Sequence, residues 1–97
     1  SAAADINQVR VRAHAKPVEP GEVDLDYILD ERARELIAEE PRHRTLVRTG
    51  KLVERVRKHA MLDETRTTIQ DHHEFWPIPQ VAIDANIGAK LEQNPGY

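Results

Sequence analysis

The sequence predicts a mainly α fold: two to four helices followed by a long, irregular, proline-containing tail. Three observations carry this. Apolar residues recur at three- and four-residue steps between Asp24 and Val56, the period of one helix face. Good capping residues stand where those stripes begin. From Met61 to Tyr97 neither a helical nor a strand period is sustained, and Pro77, Gly88 and Pro95 punctuate the chain.

In chain order, Asp5-Ile6-Asn7-Gln8 reads as a capping box, with Asp5 as the cap. Ile6, Val9 and Ala13 then share a face, which predicts a short helix over about residues 6–14. Pro17, Pro20 and Gly21 make 16–22 a connector. The main helix is expected from Asp24 to about Glu40. Asp24 is its cap, Val23 can staple onto Ile28, and Leu25, Ile28, Leu29, Ala33, Leu36 and Ile37 form its apolar stripe. Glu31 with Arg34, and Arg32 with Glu35, lie one turn apart, so ion pairs along the helix are available, each worth about 0.2–0.5 kcal/mol if exposed.

Pro41 cannot continue that helix but suits the first turn of another. Leu46 and Val47 give that segment a small apolar face, and Gly50 permits a bend. Leu52, Val53 and Val56 form a further stripe, ending in Arg57, Lys58 and His59, where cations favour the helix dipole. In the tail, Pro77 and Pro79 push Trp76 and Ile78 into extended backbone. Residues 79–86 allow one helical turn.

Ninety-seven residues permit one domain at most. A chain of this size buries roughly 60–65% of its unfolded surface, and the filling is thin, with one Phe, one Trp and two Tyr. Net charge is −3, so no basic excess recommends nucleic acid. The arginines between Arg42 and Arg57 are flanked by acids and read as a solvated or ion-paired face. The absence of cysteine excludes disulfides and thiolate metal sites. No apolar run approaches the roughly 20 residues of a membrane span.

The chemistry-bearing residues are sparse in pattern. His72 and His73 are adjacent and point apart on most backbones, so no metal is assigned; a hydrogen bond pinning the loop suits them better. Paired carboxylates such as Glu31 and Glu35 reach a glycosidase separation on any charged helix, and neighbouring arginines would favour the charged form of a carboxylate, opposite to what a general acid needs. Arg48-Thr49-Gly50-Lys51 lacks the preceding glycine and strand of a phosphate loop. No catalytic residue and no cofactor are therefore assigned. Trp76 is the one aromatic candidate for ligand contact, although a lone Trp among prolines more often anchors a loop to the core. Glu31, Glu35, Arg42 and Arg48 are expected to form a partly buried ion network joining the main helix to the following turn.

Five segments in order resemble the C-terminus of the RagB/SusD family. They are Ile6–Ala13 (INQVRVRA), Ile28–Glu39 (ILDERARELIAE), Leu46–Leu52 (LVRTGKL), Trp76–Gln80 (WPIPQ) and the final Gln93–Tyr97 (QNPGY). One departure concerns the turn after the main helix. Where many members carry Gly-x-Arg-aromatic-x-Asp-Leu, this chain has Glu40, Arg42, His43, Thr45 and Leu46.

The resemblance implies a cell-surface lipoprotein of a Gram-negative outer membrane. Such a protein binds glycans or other nutrients without catalysis and sits as a lid on a SusC-like, TonB-dependent transporter. It implies a SusD-like fold containing tetratricopeptide-like helix pairs, most of them N-terminal to this region. On this reading residues 5–97 are the C-terminal region of a larger domain, residues 1–4 are a processing remnant, and membrane attachment is through a lipid anchor outside this chain. Two other classes stay open: a free-standing all-α interaction module, and a small hydrolase using carboxylates or histidines.

Overall fold

A computed structural model describes residues 1–97, and the chain in it is all α, with six α-helices and no strand. It divides into two compact units, Ser1–Arg42 and His43–Tyr97.

The first unit begins with α1, Ala2–Arg12. It starts four residues before the expected position, because Ala2-Ala3-Ala4 is the strongest helix-forming run in the chain. Ser1 rather than Asp5 is the cap, its Oγ accepting from the Ala4 N–H at 3.4 Å. Asp5 sits in the first turn, where its charge favours the helix dipole. Ser1 thus caps the helix, residues 2–4 form its first turn, and Ala3 is buried. α1 closes with the paired bonds of a Schellman ending: the Ala15 N–H reaches the Arg10 carbonyl (2.8 Å) and the His14 N–H the Val11 carbonyl (3.1 Å). His14 occupies the left-handed position at φ 56°, where glycine is normally found.

The connector holds a 3₁₀ turn at Pro20–Glu22 and one buried residue, Val18. Asn7 of α1 reads both backbone groups of Val18. Its Nδ2 donates to the Val18 carbonyl at 2.9 Å, and its Oδ1 accepts from the Val18 N–H at 2.8 Å. Pro17 on one side of Val18 has no N–H of its own to offer.

α2 spans Leu25–Glu35 with Asp24 as cap, as the sequence predicts; its carboxylate accepts from the Tyr27 N–H at 2.7 Å. Leu29, at 1% exposure, is the best-buried side chain of the molecule. The helix stops five residues short of Glu40. Pro41 disfavours helical backbone at the residue before it, and the chain turns early, with Ala38 left-handed at φ 64°. The Glu39 and Glu40 N–H groups both fold back onto the Leu36 carbonyl, at 3.0 and 3.1 Å. The last residue of the expected stripe, Ile37, is consequently 74% exposed.

The second unit contains nearly all of α3 (Arg42–Arg48), then α4 (Leu52–His59), α5 (Asp63–Thr68), a 3₁₀ turn at Asp71–Glu74 and α6 (Gln80–Ala85). α3 ends like α1, with the Lys51 N–H on the Leu46 carbonyl (2.8 Å), but here Gly50 fills the left-handed position at φ 65°. α4 carries the core through Leu52 and Val53, joined by Leu46 and Thr45 from α3, and packs against α5 and the 3₁₀ turn. α5, Asp-Glu-Thr-Arg-Thr-Thr, has no apolar residue, so no periodicity could have predicted it. Acidic residues in its first turn favour the dipole, and the Thr67 and Thr68 hydroxyls donate to carbonyls one turn back. α6 matches the single turn expected near Pro79. Large apolar side chains stay in solvent along the tail, Met61 at 96% and Ile87 at 97% exposure among them.

Candidate functional site

The second unit contains an open groove of about 540 Å³. Leu52 and Val56 of α4, Ile69, Phe75, Trp76 and Pro77 supply its apolar surface. Thr65 and Thr68 of α5, with His43, His73 and Tyr97, put polar groups around it. An apolar surface with a few convergent hydroxyl and imidazole groups is the usual make-up of a small-molecule site.

One wall is the extended segment Phe75–Pro79, and its backbone poses a bonding problem. Pro77 and Pro79 have no N–H, so Ile78 has the only amide among these three residues and no helix or sheet to satisfy it. The C-terminal residues solve this with side chains. Gln93 accepts from the Ile78 N–H through Oε1 and donates to the Ile78 carbonyl through Nε2, both at 2.8 Å. The same Oε1 accepts from the Asn94 N–H at 2.9 Å. Asn94 Nδ2 donates to the Trp76 carbonyl at 2.6 Å, and the Tyr97 hydroxyl to the Phe75 carbonyl at 2.8 Å. The two segments singled out as WPIPQ and QNPGY are therefore the two halves of one contact. Gly96, at φ 95°, presses on His72, where a Cβ would lie 2.5 Å from the imidazole Cγ. Tyr97 meets the His72 ring edge-on at 4.8 Å.

Trp76 is 77% exposed, and its ring lies T-shaped to that of His43, with centroids 6.2 Å apart. It does not anchor the loop: within this unit no buried layer reaches it, and polar side chains hold its backbone instead. His73 has the loop-pinning bond expected of this pair, its Nδ1 accepting from the Gln70 N–H at 2.8 Å.

The ionic residues of the first unit distribute differently from the expected network. Arg10 of α1 grips both carboxylate oxygens of Glu31, at 2.9 and 3.0 Å, and Arg34 adds a bond at 2.8 Å. Glu35 pairs with Arg12, and Arg32 with Glu40. Arg42 donates to the Leu29 carbonyl at 2.6 Å rather than to a carboxylate. Arg48, in the second unit, is exposed. Glu31 and Glu35 sit one turn apart and face α1, whose arginines reach them first. Burial alone pushes the Glu31 carboxyl up, but the hydrogen bonds and charges of Arg34 and Arg10 outweigh it and hold the pKa below its ordinary value. The bond to Glu31 in turn raises Arg34.

Periodicity did not single out Gln93, Asn94, Tyr97, Asn7, Arg10 or Arg12, all of which act through polar contacts. A usable signal exists for two of them. Val18 follows Pro17, Ile78 lies between Pro77 and Pro79, and each needs an amide side chain from elsewhere.

No curated protein and no solved structure matches the chain. The profile of the SusD family matches residues 1–97, its whole length. This chain therefore belongs to the SusD family, whose members are binding proteins rather than enzymes.

Proposed function

We propose that this chain is the C-terminal part of a cell-surface glycan- or nutrient-binding lipoprotein that works with a SusC-like, TonB-dependent transporter at the outer membrane. The observation that carries the reading is the family match over residues 1–97. The exposed apolar side chains support it, since Ile37, Met61 and Ile87 are what a region that leans on further protein would leave uncovered. The groove at Trp76 supports a supplementary ligand contact, because the apolar face of a sugar ring packs on an indole while its hydroxyls bond to threonine and histidine. The lowered pKa of Glu31 weighs against the hydrolase reading, in which a general acid needs the opposite shift.

The test is to purify the full-length gene product from detergent-solubilised outer membranes and titrate it with oligosaccharides by calorimetry. Co-migration with a barrel transporter and saturable glycan binding are expected. Trp76→Ala should weaken that binding about tenfold, or about 1.4 kcal/mol. A protein that elutes alone and binds no oligosaccharide or other nutrient would overturn the reading.

A further inference from the structure

We infer that Gln93 is the positioning residue of the groove: by fastening the backbone of Ile78 and ordering Asn94, it holds Trp76 in place. Burial cannot do this. Phe75 and Trp76 are both mostly in solvent, so little apolar contact resists their swinging away. Proline removes part of the freedom, since φ at Pro77 and Pro79 is fixed near −65°. The torsions left between Trp76 and Ile78 are the ones the clamp restrains. Gln93 is its hub, because one amide engages the Ile78 N–H, the Ile78 carbonyl and the Asn94 N–H. Its loss releases Ile78 directly and frees the Asn94 backbone, whose side chain holds the Trp76 carbonyl. The consequence for ligand binding rests on the proposed contact between Trp76 and glycan; the positioning itself does not.

The clamp acts on backbone, so the backbone N–H groups of Trp76 and Ile78 report on it without any ligand. The experiment compares ¹⁵N relaxation and amide exchange at Trp76 and Ile78 in the full-length protein with those of its Gln93→Ala and Gln93→Met variants. Met keeps the length and bulk of Gln and removes its hydrogen bonds. In both variants the order parameters of Trp76 and Ile78 should fall from about 0.85 to below about 0.6, and Ile78 amide exchange should accelerate about tenfold or more. Leu52 and Val53 should stay as rigid as before. Unchanged order at Trp76 in Gln93→Met would overturn the inference, because Gln93 would then act only by filling space. Loosening of Leu52 and Val53 along with Trp76 in both variants would overturn it too, since the role would belong to the whole unit. If Gln93→Met in the full-length protein loosens Trp76 yet leaves glycan affinity unchanged, the positioning stands and the ligand role of Trp76 falls.

Discussion

Val18 and Ile78 are held by the same device in two settings. Each is an aliphatic residue beside proline, and each has both backbone groups engaged by one side-chain amide, Asn7 in the first unit and Gln93 in the second. At Val18 the amide projects from an eleven-residue helix and the residue it holds is buried. At Ile78 the amide comes from irregular chain, and the residue it holds is only half-buried. In the first unit the clamp therefore supplements full apolar burial, whereas in the second it makes up for the burial that is missing. A net hydrogen bond contributes about 0.5–1.5 kcal/mol, less than burying an aliphatic side chain at about 1.5–3 kcal/mol. The wall at Trp76 should accordingly be the more easily opened.

The sharpest way to break this contrast is to remove the burial. Leu29→Ala empties the best-buried site and should destabilise the first unit by about 2–5 kcal/mol in urea titration followed by amide exchange at Val18. If Ile78 exchange accelerates equally, the two units are not separable. Asn7→Ala comes next, at about 1–3 kcal/mol, because it strands the polar groups of a buried residue. A smaller loss than at Gln93→Ala would reverse the ranking of the clamps.

Gly96→Ala should loosen the terminal contact by about 1–2 kcal/mol through its left-handed φ alone. The clash with His72 adds to that. Its readout is Ile78 exchange, with Val18 unaffected. Acid should act on the other unit. With its pKa lowered on folding, Glu31 binds fewer protons in the native state, so its contribution is complete above its ordinary value of 4.5 and disappears as pH falls through the lower folded value. Glu31→Gln should flatten that acid limb in a pH series of melting temperatures; an unchanged limb would assign it to another carboxylate. The smallest effect is a gain. His14→Gly places glycine in the left-handed ending of α1, as Gly50 already does for α3, and should raise the denaturation midpoint by the equivalent of about 0.5–1 kcal/mol.

The parts of the fold legible in the sequence are those fixed by short-range rules. Asp24 caps α2, Leu29 lies in the core, and Gly50 turns the chain after α3, each for a reason visible within a few residues. Periodicity failed where structure rests on other forces. α5 has no apolar face to detect, and α2 stops early because Glu39 and Glu40 fold onto Leu36 before Pro41. Trp76 was recognisable as a candidate, but its exposure was not, because an anchor and a platform look alike in one dimension. Pairing of carboxylates with Arg10 and Arg12 across 21 and 23 residues depends on where α1 lies relative to α2, which no local pattern encodes. Gln93, Asn94 and Tyr97 stand out in the sequence only as a family-like ending, and Gln93 lies 15 residues from the Ile78 it holds.

The prolines on either side of Ile78 have a further effect on the behaviour of this chain among its own copies. Phe-Trp-Pro-Ile-Pro is a greasy, extended ribbon facing water, the kind of edge onto which a second strand readily zips. Two of its residues cannot donate a ladder bond, and the amide between them is already taken by Gln93. The ribbon can show its rings to solvent and still refuse to seed a fibril.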